Sequence, residues 1–178
     1  MVVVGKLTQL SFILQLIVIV GTGSEYYQNE ARQRFDAQKH LESVKQLELR
    51  IGIARERWKV NSPVTVNVLL TNKGKDAIKI SDAIAPWFKY QISVIDDSNQ
   101  QVPRTEFMKK QLKVGVTSIL AQDIPPGKTL EERIQISDLY EINSKRGTYK
   151  VTLKRQVGVG GKVRYQLASN TITLSVVE

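Results

Sequence analysis

From Leu47 to the C-terminus, apolar and polar residues alternate with a period of two. Leu47, Leu49, Ile51 and Ile53 alternate with Glu48, Arg50 and Gly52. After Pro63, the residues Val64, Val66, Val68 and Leu70 alternate with Thr65, Asn67 and Leu69. Strict alternation marks strands that bury one face. Asn72-Lys73-Gly74-Lys75 supplies a turn, and Ala77 to Ile80 predicts a short return strand. Tyr90, Ile92 and Val94 alternate in the next run, which ends at the turn-formers Asp96-Asp97-Ser98-Asn99. Gln101-Val102 resumes that hairpin, and Pro103 ends it. Pro125-Pro126-Gly127 is a further turn, followed by a strand over Leu130 to Ile136 with Ile134 and Ile136 inward. Ser137 to Tyr140 reads as one helical turn capped by Ser137 or Asp138. Tyr149, Val151 and Leu153 alternate with Lys150, Thr152 and Lys154. A flexible tip at Gly158-Val159-Gly160-Gly161 then leads to Val163, Tyr165 and Leu167 and to a last strand over Thr171 to Val177. Many short strands separated by turns predict an all-β domain over 47–178, a sandwich or a barrel. Residues 105–124 break the pattern and predict a loop with one strand around Val116 to Leu120.

The chain before Leu47 differs. Leu7 to Val20 is an apolar run preceded by Lys6 and followed by Gly21-Thr22-Gly23-Ser24. A basic residue, an apolar run and small residues form a signal peptide, placed at 1–24. The run falls short of the ~20 residues that comfortably span a bilayer. An uncleaved anchor, lengthened by Val2 to Val4, is the rival reading, with membrane attachment through residues 7–22. A buried element of the domain is the third. Residues 25–46 carry no Pro or Gly and are rich in Glu, Gln, Arg and Lys. They predict a polar, partly helical spacer.

Five segments carry a resemblance: PVTVNVLLTNKGKDAIKI, FKYQISVIDDSNQQV, IPPGKTLEERIQISDLY, GTYKVTL and SNTITLSVV. In this order they resemble the immunoglobulin-like domains of exported bacterial proteins, from Pro63 to Val176. The resemblance implies an immunoglobulin-like antiparallel β-sandwich, with Tyr149 as a structural tyrosine corner. The layout is more distantly similar to the Bacillus intracellular proteinase inhibitor family. That implies an inhibitory loop, for which Lys109 to Ile119 is the candidate.

Composition narrows the chemistry. There is no cysteine, which removes disulfides, thiolate metal sites and thiol nucleophiles. The one histidine, His40, lies in the spacer, so neither a Ser-His-Asp triad nor a zinc site is expected. Gly158 to Gly161 lacks the Lys-Ser/Thr and the helix of a phosphate loop. Asp96 to Asn99 has oxygens suited to calcium, but a plain turn explains the same residues. No catalytic residue, metal or small-molecule cofactor is expected.

The net charge is +9, of which +8 falls from residue 47 onward, and favours anionic partners. Lys150, Lys154, Lys162 and Arg164 fall on one face if their strands pair across the glycine tip. Trp87 and Phe88 offer rings in a loop, where recognition commonly sits. Trp58 is expected in the core. These observations predict a non-catalytic, exported binding or structural module of the cell envelope. Its partner is a protein or an anionic polymer, glycan or nucleic acid, met through Trp87, Phe88 and the basic set.

Overall fold

The computed structural model describes residues 27–116, 118–159 and 163–178. The expected signal or anchor at 1–24 and the basic residue Lys162 lie outside the described residues. The chain divides into two compact units at Lys39 and His40. A helix, α1, covers residues 27–44. Its part in the first unit is polar, with an Arg34–Glu30 ion pair one turn apart at 2.7 Å and with Tyr27 and Phe35 exposed. Among the described residues no helix is long and apolar enough to cross a membrane.

The second unit is mainly β. Its strands are β1 (Leu47–Ile53), β2 (Arg57–Lys59), β3 (Thr65–Asn72), β4 (Ile78–Ala83), β5 (Tyr90–Ile95), β6 (Ile119–Ile124), β7 (Thr129–Gln135), β8 (Gly147–Val159), β9 (Val163–Ala168) and β10 (Ile172–Val177). Three short helices interrupt them: α2 (Pro86–Lys89), α3 (Glu106–Val114) and α4 (Ile136–Leu139). One sheet has the order β1-β3-β7. A second has the order β2-β10-β8-β5, with β9 also paired to β8, and β4 and β6 form a two-stranded ribbon. All pairings are antiparallel except β2 with β10.

The alternation in the sequence is what builds the core. Leu49, Val66, Val68 and Ile134 from the first sheet join Val94, Val151, Leu153 and Leu174 from the second in one buried cluster. Val44, at the end of α1, and Trp58 are buried in the same cluster. The turn after Pro125 needs a left-handed residue, and Gly127 supplies it with φ of 71°.

Three local readings change. The segment after the Asn72 turn does not fold back on β3. β4 pairs with β6 instead, with Ile78 opposite Ile124 and Ala83 opposite Ile119. Residues 105–124 hold a helix and then a strand. Thr105 caps α3 by accepting from the Met108 N–H at 3.2 Å, Glu106 sits in its first turn and Lys113 in its last. Those charges oppose the helix dipole in the favourable sense. Most of the proposed inhibitory loop, Lys109 to Val114, is therefore helical. Finally, neither Ser137 nor Asp138 caps α4: the Ser137 hydroxyl accepts from the Val64 N–H at 3.1 Å, and Asp138 accepts from the Gln135 side chain.

One link between the two larger sheets is a single side chain, Asn170. β9 and β10 run along the same side of β8 and break at Ser169-Asn170. There the Asn170 amide acts as a strand edge toward β1. It accepts from the Ile51 N–H at 2.9 Å and donates to the Ile51 carbonyl at 3.0 Å. Replacing Asn170 by alanine leaves both groups of an edge strand without that partner. The expected loss is about 2 kcal/mol of unfolding free energy, read from urea denaturation. A loss below about 0.5 kcal/mol would mean that water replaces the amide freely.

Candidate functional site

The chemistry concentrates on the outer face of the second sheet. Gln91 of β5 lies opposite Lys154 of β8, and Gln156 lies next along β8 on the same face. α2 precedes β5 and brings Trp87 and Phe88 to one end of this face. Pro86 starts α2 at a position where its missing N–H costs nothing. The strap at residues 103–105 runs beside α4: the Thr105 N–H donates to the Leu139 carbonyl at 3.0 Å, and the Glu141 N–H donates to the Pro103 carbonyl at 3.0 Å. That strap sets Arg104 beside Tyr140.

Together these elements enclose a cleft of about 340 Å³ lined by Trp87, Phe88, Arg104, Lys154, Gln156 and Arg164, among others. A neighbouring hollow of about 600 Å³ shares Gln91, Ile92, Arg104, Tyr140 and Lys154 with it. The two adjoin through these shared walls and are taken together as one groove. Among the described residues, no carboxylate, imidazole or thiol lines either part. Arg104, Lys154 and Arg164 are all exposed in it. Arg164 donates to the Gln156 side-chain carbonyl at 3.1 Å, which holds its guanidinium over the sheet. Lys89 also lines the cleft, but Glu132 of β7 holds its ammonium through both carboxylate oxygens at 2.9 and 3.0 Å. The Tyr90 hydroxyl donates to the same carboxylate at 3.0 Å. Trp87 meets Phe107 edge-on with ring centroids 5.7 Å apart, a favourable aromatic geometry that fixes the end wall.

The expected basic face is therefore only partly realised. Lys154 and Arg164 converge with Trp87 and Phe88. Lys150 does not: it sits four residues back along β8, opposite Ile95 and Thr173, outside the groove. Nor do the cations confront one another across the β8–β9 ladder, since Lys154 faces Ala168 and Arg164 faces Gly158. The sequence reading missed Arg104 and the Lys89–Glu132 pair. It also missed Arg155, which is buried with its guanidinium 5.7 Å from the centre of the Tyr90 ring. A signal was available for two of them: Glu132 and Arg155 occupy inward positions of alternating strands, where a charge needs a reason.

Two phenols brace the site and its opposite end. The Tyr140 hydroxyl donates to the Ile92 carbonyl at 2.6 Å. Burial pushes its pKa up, and the Arg104 guanidinium opposes that shift. The Tyr149 hydroxyl donates to the Lys145 carbonyl at 2.9 Å. Its pKa is also raised, by burial first and then by the carboxylates of Asp96 and Asp97. A raised phenol pKa means that the folded state holds its proton more tightly than the unfolded chain. The stabilisation is fully present below the ordinary phenol value near 10 and is lost as pH climbs through the folded value. Unfolding midpoints are expected to fall as pH climbs above about 10. A midpoint that stays constant over that range would contradict this.

The Asp96 turn shows no comparable convergence. Asp96 accepts from the Ser98 and Gln100 N–H groups, both at 2.9 Å, so its carboxylate is engaged by its own turn.

No family model matches the chain. No curated protein matches it either. Among solved structures it is similar to part of a beta-glucosidase from Listeria innocua. The structure of a mutant bound to laminaribiose aligns at a TM-score of 0.37 with 13% identity, over 74% of this chain and 16% of the enzyme. The glucose complex gives 0.37 and 13% over 73% and 16%. The isofagomine complex gives 0.36 at the same identity and shares. The chain thus spans about one-sixth of that enzyme's length, and nothing about its own activity follows from so low a score.

Proposed function

We propose that this chain is a non-catalytic, exported binding module with an immunoglobulin-like architecture, whose groove takes an acidic glycan polymer. The single observation that carries the reading is the convergence of Arg104, Lys154 and Arg164 with Trp87 and Phe88 in a groove lined by no carboxylate. A groove of one charge sign focuses field lines and attracts ligands of the other sign. Aromatic walls add apolar contact to a sugar or base face. The amides of Gln91 and Gln156 supply neutral donors and acceptors between the cations.

The architectural part has its own support. The neighbour orders β1-β3-β7 and β5-β8-β10 are those that strands A, B, E and C, F, G would take in an immunoglobulin sandwich, which supports the reading. Tyr149 lies near the start of β8 and bonds back to Lys145, which is where strand F carries a tyrosine corner. Export rests on the apolar run at Leu7 to Val20. The non-catalytic reading rests on the groove's side chains, which are cations, amides, two phenols, two further rings and apolar chains, with no general base for neutral pH.

The test is a titration with a heparin-like polysaccharide at about 50 mM salt, followed by calorimetry and tryptophan fluorescence. Saturable binding that weakens steeply by about 200 mM salt is expected. Single-stranded DNA is the comparison ligand, and tighter binding to DNA would replace the glycan by a nucleic acid. Binding to neither polymer would overturn the reading in favour of a structural module.

A further inference from the structure

We propose that the end of the molecule built from α3 and the tip of the β4–β6 ribbon, next to the end wall of the groove, docks onto an anionic lipid surface. Among the described residues, six of the large apolar side chains that stand exposed in the β-rich unit lie here, and Leu112 of α3 lines the groove. Phe107 and Val114 lie on α3, Val116 on the following loop, Ile119 and Leu120 on β6, and Ile84 just after β4. Val114 is 65% exposed, Ile119 71% and Leu120 57%, far beyond what an isolated surface leucine or valine requires explanation for. Val114 and Val116 lie within five residues of Ile119 along the chain, and two contacts close the ribbon tip. The Ile84 N–H donates to the Ser118 carbonyl at 3.3 Å, and Ala83 pairs with Ile119.

The ribbon has two unlike ends. At its root Ile78, Ile80 and Ile124 are buried in the core. At its tip, Ile119 and Leu120 are consecutive strand residues, so they point to opposite faces, and both are exposed. A protein partner laid against the ribbon covers one face. A lipid layer surrounds a projecting tip and covers both.

Charge selects the kind of lipid. α3 carries Lys109, Lys110 and Lys113, all exposed, against one acid, Glu106, which pairs with Lys109 at 2.7 Å. On the helix wheel Phe107 and Val114 lie together, with Lys110 beside them and Lys113 next. Lysines flanking an apolar stripe, with stems that reach past it, are the arrangement of an interfacial helix on acidic headgroups. Gly115, with φ of 81°, ends α3 and turns the chain into the apolar loop.

The chain has no cysteine, so a single introduced thiol reports one place. The experiment uses the full chain with Ile119→Cys carrying an environment-sensitive nitrobenzoxadiazole dye, and Ser98→Cys with the same dye as the comparison. Vesicles of phosphatidylglycerol with phosphatidylcholine are set against phosphatidylcholine alone. Because every protein keeps residues 1–24, any attachment through them is common to both labels. The Ile119 label is expected to shift to the blue and brighten with anionic vesicles only, and the Ser98 label to stay unchanged. Neutralising the three lysines with Lys109→Gln, Lys110→Gln and Lys113→Gln is expected to weaken the Ile119 response on the order of a hundredfold in lipid concentration. An unmoved Ile119 label, equal responses at the two labels, or an equal response to neutral vesicles would each overturn the proposal. So would a blue shift that rises with protein concentration without lipid, which would assign this end to a protein contact.

Discussion

Replacing Asn72 by alanine is expected to remove about 3 kcal/mol of unfolding free energy, enough to matter in a domain whose whole stability is on the order of 10 kcal/mol. Asn72 is fully buried at the end of β3. Its side-chain amide donates to the carbonyls of Asp76 and Ile124, both at 2.8 Å, and its carbonyl accepts from the Gly74 N–H at 2.8 Å. Its backbone N–H donates to the Lys128 carbonyl at 3.0 Å, and its backbone carbonyl accepts from the Gly127 N–H at 2.9 Å. One residue thus ties the end of β3 to the end of β6 and to the turns on either side. Alanine keeps the backbone bonds and leaves three backbone partners short, of which Ile124 is buried. Asn72→Asp separates hydrogen bonding from volume. Aspartate matches the size and keeps the acceptor for Gly74, but an ionised carboxylate cannot donate to two carbonyls. It is expected to destabilise at least as much as alanine. Urea denaturation with an unchanged slope is the check. Losses under about 0.5 kcal/mol for both variants would show that Asn72 is not the hub described.

The same residue marks how far the sequence could be read. The Asn72 to Lys75 stretch was legible as a turn because Asn and Gly favour one. What that turn connects was not legible. Period-two alternation says which face of a strand is buried, not which strand lies beside it. The return strand pairs with β6 across the 35 residues between Ala83 and Ile119 because the Asn72 amide and the buried Ile78, Ile80 and Ile124 hold them together. β1, β3 and β8 were readable because one face of each is core. β6 was placed only roughly, as a strand around Val116 to Leu120 where Ile119–Ile124 forms one, since five of its six residues are exposed and no apolar period survives. α3 carried a fainter signal in Thr105-Glu106 and the lysines after it. It buries only Met108, so a periodicity argument had little to find. The groove was half legible for the same reason. Lys154 and Arg164 follow from strand alternation. Arg104 reaches the groove through the strap beside α4, a contact that no local pattern encodes.

Reversing the charge of the groove is expected to have the largest effect on binding. Lys154→Glu with Arg164→Glu should weaken an anionic polymer between roughly tenfold and a hundredfold, because each charged contact contributes about 1 kcal/mol at an exposed site. The salt slope of binding should fall by about 2, one for each cation that no longer releases a counterion. Both side chains are exposed and face Ala168 and Gly158 across the ladder, so the fold should tolerate the exchange. Lys150→Glu changes the net charge in the same direction but lies outside the groove. It should weaken binding by less than the groove pair does, because Lys150 lines neither part of the groove. If Lys150→Glu matched the groove variants, the protein would be answering to net charge alone.

The central claim is that one groove on the outer face of the second sheet is the binding surface. Nuclear magnetic resonance of the ¹⁵N-labelled protein, titrated with a short heparin-like oligosaccharide, tests it most directly. The account predicts shifts confined to the backbone signals of Gln91, Arg104, Lys154, Gln156 and Arg164 and to the Trp87 indole, with Trp58 and the Asp96 turn unmoved. Shifts spread over all basic regions, or centred away from these residues, would contradict it.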